Sequence, residues 1–159
     1  MEDLSRRVGE RLKQARAVLV TAESCTGGWV AQAVTSVAGS SDWFDRGFVV
    51  YSNAAKREML GVSEQTLSLH GAVSEETARE MARGALQRGG GTLAVAVTGI
   101  AGPGGATPGK PVGMVCFAWA DARGALRSET RRLQGDRQSV RRQSVIAALE
   151  GVLQLLEGG

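Results

Sequence analysis

Helical and strand-like patterns of apolar residues alternate along this chain. Near the N-terminus, apolar residues spaced three or four apart predict an amphipathic helix over residues 2–16. The apolar run that follows, at residues 17–20, predicts a buried strand. The same patterns predict further helices over 29–37, from Ser52 or Asn53 onward and over 75–86, and further strands at 48–51 and 93–97. Such an alternation is typical of an α/β protein with a parallel sheet.

The C-terminal third of the chain departs from this alternation. Two strand-like segments, residues 112–120 and 125–133, are joined by a short turn, which predicts an antiparallel hairpin. A long helix that opens at Asp136 follows. We therefore predict a single domain, residues 1–159, folded as a three-layer α/β/α sandwich with a mostly parallel mixed sheet and a C-terminal antiparallel hairpin. The residues predicted on the buried face of the last helix are Ile146, Leu149, Leu153 and Leu156.

Glycine and hydroxyl-bearing residues are concentrated where the predicted parallel strands end, at residues 21–28, 51–53 and 98–105. Glycine makes up 22 of the 159 residues, about twice the usual share. Because ligands of open α/β sheets bind at the carboxyl ends of the strands, these three segments predict one cleft. Glycines there leave backbone N–H groups unshielded by side chains, which lets the backbone approach a phosphate.

Composition and charge narrow the class of protein further. Hydrophobic residues make up 43% and charged residues 22% of the chain, which excludes a disordered protein. Two cysteines, Cys25 and Cys116, are too few for a disulfide framework, and no apolar stretch is long enough for a membrane span, so we expect a cytoplasmic protein. The net charge is +3, and an arginine cluster near the C-terminus favours an anionic ligand. Its members are Arg131, Arg132, Arg137, Arg141 and Arg142.

Scarce residue types exclude several mechanisms. His70 is the only histidine, so a metal site with two histidines is excluded. Its place at a predicted helix end favours an interaction with the last helix carbonyls over catalysis. The segment from Gly104 to Lys110 is similar to a nucleotide-binding phosphate loop, but Pro111 stands where Ser or Thr should hold magnesium. The sequence therefore disfavours an enzyme that hydrolyses nucleoside triphosphates.

A lysine held in a dry pocket is the remaining standard base for a nucleophile that has no histidine partner. Lys56 follows the predicted strand at 48–51 and lies inside the predicted cleft. The residues alone leave open whether Lys56 is this base, with a lowered pKa, or an ordinary lysine on a helix surface. Candidate nucleophiles near the cleft are the hydroxyls of Ser24, Ser40, Ser41 and Thr98 and the thiol of Cys25.

Four longer motifs lie at or beside the predicted strand ends. They are TAESCTGG at 21–28, GFVVYSNAAK at 47–56, HGAVS at 70–74 and GIAGP at 99–103. In type and order these motifs resemble the CinA C-terminal domain family, the nicotinamide mononucleotide amidohydrolases. The resemblance extends from the first helix to the last. In many relatives this domain follows a larger molybdopterin-binding-like domain, and the present chain resembles the stand-alone form; Met114 stands where we expect a smaller or polar residue.

The resemblance implies hydrolysis of the carboxamide of nicotinamide mononucleotide to nicotinic acid mononucleotide and ammonia, with no metal and no cofactor. It implies a serine–lysine mechanism in which Ser41 is the nucleophile and Lys56 its base. Tyr51 would orient the two through its hydroxyl, and Thr98 would be a supporting polar group. Ser24 stays an alternative nucleophile because it also lies in a family motif. The residues expected to bind the substrate, with Arg137 at its phosphate, are Ser24, Thr26, Gly27, Gly28, Gly99, Ala101, Gly102 and Arg137.

The expected partner is a small molecule, nicotinamide mononucleotide. We expect neither a membrane nor nucleic acid as a partner, and the sequence leaves a homo-oligomer open. The alternative class is a non-catalytic module that binds a nucleotide or nucleic acid, which the arginine cluster suggests; the resemblance implies that such a module would act in competence or DNA damage. However, residues 131–142 contain no aromatic residue and no recognition motif of the kind that nucleic-acid-binding proteins use.

Overall fold

The computed structural model describes residues 1–158, which form a five-stranded sheet flanked by helices. The helices are α1 (Glu2–Gln14), α2 (Trp29–Thr35), α3 (Asn53–Leu60), α4 (Glu64–His70), α5 (Glu75–Arg88) and α6 (Arg137–Gly158). The strands are β1 (Leu19–Glu23), β2 (Phe44–Val49), β3 (Leu93–Gly99), β4 (Met114–Asp121) and β5 (Leu126–Arg132), and a 3-10 helix, Ser40–Asp42, precedes β2. None of the helices within residues 1–158 has both the length and the apolar character that a membrane span needs.

The sheet combines a parallel and an antiparallel half in the order β2-β1-β3-β4-β5. β1 is parallel to both of its neighbours, whereas β4 is antiparallel to β3 and to β5. The predicted α/β/α fold, with its mixed sheet and C-terminal hairpin, is confirmed. The chain leaves β1 for α2 on one face of the sheet and leaves β2 for α3 on the other face. A crevice therefore opens at the carboxyl ends of these strands.

Two apolar clusters, one on each face of the sheet, form the core. Helices α1, α2 and α6 cover one face, where Leu93, Val95 and Val97 of β3 are buried. Helices α3, α4 and α5 cover the other face, to which β3 presents Ala94 and Ala96. Because successive side chains of a strand point to opposite faces, β3 presents large residues to one layer and small ones to the other.

Side-chain caps begin four of the helices within residues 1–158: Ser63 caps α4, and the other three caps lie where the sequence predicts the start of a helix. Ser52 accepts a hydrogen bond of 3.0 Å from the N–H of Ala55 at the start of α3. Ser74 and Asp136 cap α5 and α6 in the same way. Each cap satisfies a backbone donor that has no partner inside its helix. On α6, two of the predicted face residues are buried and two partly buried, namely Leu149 and Leu153, then Ile146 and Leu156.

The two strands beside the crevice differ from their predicted bounds. β1 continues from Val20 to Glu23, and β2 begins at Phe44 instead of Phe48. β2 lies at the edge of the sheet and pairs only with β1. Most of its side chains are therefore at least partly exposed, and polar residues are compatible with its strand conformation. An apolar run consequently marks only part of an edge strand.

Gly84 allows α5 to approach α3, the helix that carries Lys56. A Cβ atom at Gly84 would lie 2.0 Å from the carbonyl oxygen of Leu60. This oxygen belongs to the backbone, so a change of side-chain rotamer cannot relieve the clash. We expect Gly84→Ala to lower the free energy of unfolding by about 1–3 kcal/mol, because overpacking outweighs the better helix propensity of alanine. Urea unfolding measures the change.

The matched control is Gly158→Ala, because a methyl group there would meet nothing within 4 Å. This control should leave the free energy of unfolding within about 0.5 kcal/mol of the parent. Equal effects at the two positions would show that the close approach of α5 to α3 does not depend on Gly84.

Candidate active site

A cavity of about 280 Å³ lies at the carboxyl ends of β1 and β3, where the sequence predicts the cleft. Its lining is Ser24, Cys25, Tyr51, Asn53, Lys56, Ala72, Val73, Thr98, Gly99, Ile100, Ala101, Gly102, Gly104, Gly105 and Arg137. A larger groove of about 560 Å³ runs beside α1 and the 3-10 helix, but side chains such as Glu10 and Lys13 make it a solvated polar surface. The smaller cavity is the one that contains buried ionisable and nucleophilic groups.

Lys56 is the most unusual residue of this cavity because it is 1% exposed. Its Nζ atom donates hydrogen bonds to Ser24 Oγ at 3.1 Å and to the carbonyl oxygens of Val50 (3.1 Å) and Tyr51 (3.3 Å). Within residues 1–158, no carboxylate forms an ion pair with it. Burial lowers the pKa of the Lys56 amine below its usual value. The amine is therefore suited to lose its proton and act as a base.

Strand alternation explains why Ser24 faces Lys56. Ser24 continues β1, and its N–H donates to the carbonyl of Val97 at 2.9 Å, in register with β3. Ala22 and Ala96 face the layer of α3, α4 and α5, so Ser24 and Thr98, two residues further along each strand, face it as well. Thr98 is buried and donates to the carbonyl of Ala72 at 2.8 Å. Ser24, Thr98 and Lys56 thus line the same cavity.

The structure does not bring Ser41 to Lys56, and this is a correction to the predicted pairing. Ser41 is exposed and lies in the 3-10 helix before β2, whereas Lys56 lies after β2. The six residues of β2 separate the two by roughly 20 Å of extended chain. Ser41 is therefore at the amino edge of the parallel strands, and Ser24 occupies the position beside the amine.

Tyr51 also differs from its predicted role as a hydroxyl between serine and lysine. Its side chain is 61% exposed, and its hydroxyl accepts a hydrogen bond of 3.1 Å from Arg137 Nη2. The backbone carbonyl of Tyr51, and not its phenol, contacts Lys56. Tyr51 therefore connects the amine at the base of the cavity with the arginine at its wall.

Cys25 lines the cavity but lacks the properties of a nucleophilic cysteine. Burial raises the pKa of its thiol to about 12. The nucleophilic form of cysteine is the thiolate, which such a pKa suppresses at neutral pH. Ser24, hydrogen-bonded to a buried amine, is the better candidate of the two neighbours.

The turn at 24–28 is held by the buried carboxylate of Glu23, which the sequence analysis missed. Glu23 Oε1 accepts hydrogen bonds from the Thr26 hydroxyl (2.6 Å) and the Val30 N–H (2.8 Å), and Oε2 accepts from the Ala31 N–H (3.0 Å). Two of these donors belong to the first turn of α2, where backbone N–H groups favour negative charge. The only signal in the sequence is an acidic residue six positions before the predicted helix start.

The residues predicted to bind substrate fall into two groups. Gly99, Ala101, Gly102 and Arg137 line the cavity, and Arg137 Nη1 donates to the Gly102 carbonyl at 2.8 Å. Thr26 is fully buried against Glu23 and does not line the cavity. Gly27 and Gly28 adopt positive φ values of 59° and 104° and shape the turn after Ser24. Thr26, Gly27 and Gly28 form the second group, which builds the turn behind the cavity wall.

The predicted arginine cluster is divided between several environments. Arg137 and Arg141 donate to backbone carbonyls beside the cavity, and Arg131 pairs with Glu129 at 3.1 Å. Arg132 and Arg142 are exposed. His70 ends α4, with its Nδ1 atom 3.5 Å from Glu76, so its ring faces a carboxylate and not the helix carbonyls. Within residues 1–158, no three His, Cys, Asp or Glu side chains are grouped as metal ligands would be.

Comparison with known proteins identifies the family. The sequence model of the CinA C-terminal domain matches residues 1–156. The chain belongs to the CinA C-terminal domain family. The nicotinamide-nucleotide amidohydrolases PncC of Pseudomonas putida and Escherichia coli K12 are 53% and 54% identical to it. These alignments cover 96% and 95% of this chain and 94% and 92% of the two relatives.

Solved structures of CinA proteins have the same fold. The competence/damage inducible protein CihA from Agrobacterium tumefaciens superposes with a TM-score of 0.94 at 48% identity, over 97% of this chain and 94% of that one. A CinA superfamily protein from Klebsiella pneumoniae superposes with a TM-score of 0.96 at 39% identity, over 99% and 98% of the two chains.

In this CinA domain, residues of all four sequence motifs line the cavity. TAESCTGG contributes Ser24 and Cys25, and GFVVYSNAAK contributes Tyr51, Asn53 and Lys56. HGAVS contributes Ala72 and Val73, and GIAGP contributes the stretch 99–102. The fold therefore collects at one site motifs that lie up to eighty residues apart in sequence, as expected for a ligand site at strand ends.

Replacing Glu23 by glutamine should destabilise the protein. The single oxygen of glutamine can replace only one of the two carboxylate oxygens. The amide NH₂ group would then face a backbone N–H, and it cannot accept a hydrogen bond from that donor. We expect Glu23→Gln to lower the free energy of unfolding by about 1–3 kcal/mol, the cost of a buried unsatisfied donor. Urea unfolding, with the exposed Glu58→Gln as control, measures this; no difference between the variants would rule out Glu23 as a cap of α2.

Proposed function

We propose that this protein hydrolyses the carboxamide of nicotinamide mononucleotide through a seryl ester at Ser24. The products are nicotinic acid mononucleotide and ammonia. The observation that carries the proposal is the 3.1 Å contact between Ser24 Oγ and the buried amine of Lys56 in the cavity. The relatives named nicotinamide-nucleotide amidohydrolases, at 53% and 54% identity over nearly the whole chain, support this choice of substrate.

Lys56 acts as the base that activates Ser24. In its neutral form the amine accepts the Ser24 proton along the existing contact, and Oγ bonds to the carboxamide carbon. The C–N bond then breaks, and the proton held by Lys56 moves to the leaving nitrogen, which departs as ammonia. In the second half, Lys56 takes a proton from water, the hydroxide bonds to the ester carbon, the C–Oγ bond breaks to release the acid, and the proton returns to Ser24 Oγ. The transfers of protons in this scheme involve Ser24, Lys56, the substrate and water alone.

The tetrahedral intermediate requires hydrogen-bond donors for its oxyanion. Backbone N–H groups of the cavity wall, in the stretch 99–102 or next to Ser24, are the available type of donor. One such donor contributes about 3–4 kcal/mol to stabilisation of the transition state. Gly99 and Gly102 let this wall pack closely against its neighbours, because a Cβ atom would lie 2.8 Å from Val115 Cγ2 at Gly99 and 2.5 Å from Val112 Cγ1 at Gly102.

Arg137 is the proposed ligand of the substrate phosphate. Its guanidinium lines the cavity and donates to two uncharged oxygens, the Gly102 carbonyl and the Tyr51 hydroxyl. A phosphate oxygen is a stronger acceptor than either, because the hydrogen bond then joins two charged groups. The nicotinamide end would then lie toward Ser24 and Lys56.

The nucleic-acid alternative receives less support from the described residues 1–158. Binding along a nucleic-acid backbone requires a continuous basic surface. The arginines of the cluster are instead divided between separate environments: Arg141 donates to carbonyls of the turn at 24–28, Arg131 pairs with Glu129, and Arg137 lines the cavity. We therefore retain the hydrolase as the proposed function.

Loss of either member of the Ser24–Lys56 pair should abolish turnover. We expect Ser24→Ala and Lys56→Met each to lower kcat by at least about a thousandfold, and the double variant to be scarcely worse, because the two residues act as one unit. Lys56→Arg should also lose turnover, since a guanidinium stays protonated and cannot act as a base. Ammonia release from nicotinamide mononucleotide measures the effect. Ser41→Ala, an exposed serine-to-alanine control, should keep parental activity; the reverse pattern would make Ser41 the nucleophile.

The activity should rise with pH as Lys56 loses its proton. Burial lowers the pKa of this amine, and only the neutral amine is a base. We therefore expect kcat/KM to increase with pH and to level off above an apparent pKa well below the usual lysine value of about 10.4. The pH profile of ammonia release tests this, with Ser41→Ala as control; an inflection near the unperturbed value would contradict a buried lysine base.

Arg137→Ala should raise KM for nicotinamide mononucleotide much more than it lowers kcat. A phosphate contact far from the reacting carbon contributes similarly to binding of the ground and transition states. The control substrate is nicotinamide riboside, which lacks the phosphate. If the variant still prefers the phosphorylated substrate as strongly as the parent does, Arg137 is not the phosphate ligand.

A further inference from the structure

Arg141 of α6 contacts the turn that carries Ser24 from the opposite side of the cavity wall. Its Nε atom donates to the Cys25 carbonyl at 3.1 Å, and its Nη2 atom donates to the Thr26 carbonyl at 3.2 Å. The guanidinium also lies over the ring of Trp29, 5.6 Å from its centroid. One side chain from the C-terminal helix thus joins two consecutive carbonyls and the first residue of α2.

These contacts fix the direction of the 25–26 and 26–27 peptide planes, which follow Ser24 after one intervening peptide. A trans peptide is planar, with its C=O and N–H groups antiparallel, so holding the Cys25 carbonyl also orients the Thr26 N–H. Inside the turn, Gly27 N–H donates to the Ser24 carbonyl and Trp29 N–H to the Thr26 carbonyl, each at 3.0 Å. The Cys25 carbonyl has Arg141 as its hydrogen-bond donor among residues 1–158.

Arg141 and Glu23 hold the same turn through opposite charges. The Glu23 carboxylate accepts from the donors of the turn and of α2, whereas the Arg141 guanidinium donates to its carbonyls. Arg141 also lies beside Gly27, where a Cβ atom would be in ordinary van der Waals contact with Nη2, at 3.5 Å. A guanidinium suits this place because its planar N–H groups reach two acceptors at once.

We propose that Arg141 is a positioning residue that holds the turn so that the Ser24 hydroxyl stays in line with Lys56 and the substrate. The inference rests on the proposed function, since it assigns a purpose to the geometry of Ser24. Within residues 1–158, the cavity lining includes Arg137 but not Arg141. Arg137 and Arg141, one helical turn apart on α6, therefore have separate tasks: Arg137 faces the substrate and Arg141 faces the backbone behind Ser24.

The test compares Arg141→Met, which removes the guanidinium and keeps an unbranched side chain, with Arg142→Met. Arg142 is the exposed neighbour on the same helix, so this control removes the same charge. We expect Arg141→Met to lower kcat by about a hundredfold, the loss that a misplacement near 1 Å can cause, with KM changed less than about threefold. Amide hydrogen exchange of residues 24–30 should become faster in Arg141→Met and should match the parent in Arg142→Met. Arg141→Lys, which keeps a charged donor, should lie between them.

Several outcomes would overturn the inference. A rise in KM with unchanged kcat would make Arg141 a substrate ligand, and unchanged exchange at 24–30 would show that it does not hold the turn. If Arg141→Met fails to fold, as seen by circular dichroism, Arg141→Lys supplies both measurements. Failure of the proposed function has a different signature, namely an active Ser24→Ala. In that case hydrogen exchange at 24–30 still decides whether Arg141 holds the turn.

Discussion

The ε-amino group of Lys56 is buried among uncharged acceptors, and much of the site is arranged around it. Two backbone carbonyls and one serine hydroxyl satisfy the amine, and no carboxylate within residues 1–158 forms an ion pair with it. A protonated amine is costly to keep in such surroundings, so burial lowers its pKa and favours the neutral base. A carboxylate beside Lys56 would reverse this effect. The lowered pKa of Lys56 therefore depends on the lack of a carboxylate partner within residues 1–158, just as the proposed proton transfer depends on the contact with Ser24.

The sheet supplies the geometry that this amine requires. β1 and β3 run parallel and in register, so Ser24, which follows β1, lies beside Thr98 of β3, and both face the layer that contains α3. α3 begins at its Ser52 cap directly after β2, which places Lys56 on the first turns of the helix and under the same edge. The approach of α5 at Gly84 holds α3 against the sheet. Packing at Gly84, away from the cavity, thereby supports the helix that carries Lys56.

The turn after β1 is held by two ionisable side chains whose contacts are mainly with backbone. Glu23 binds N–H groups and one hydroxyl, and Arg141 binds carbonyls. Such contacts place the turn without adding a charged group to the cavity lining, which leaves the pKa of Lys56 governed by burial. Arg137, by contrast, lines the cavity and brings a positive charge to its wall, as a phosphorylated substrate requires.

The sequence by itself determined the class of fold, the order of its elements and the edge of the sheet at which the site lies. These features depend on local patterns: apolar periodicity, serine caps such as Ser52 and Ser74, and glycines at strand ends. The tertiary structure alone decided which serine meets Lys56. The resemblance in sequence favoured Ser41 and kept Ser24 as the alternative, but Ser41 precedes β2 and Ser24 follows β1, so of the two it is Ser24 that reaches the carboxyl edge. Glu23 and Arg141 were missed for the same reason, because their partners are backbone groups that only the packed fold brings within hydrogen-bond distance.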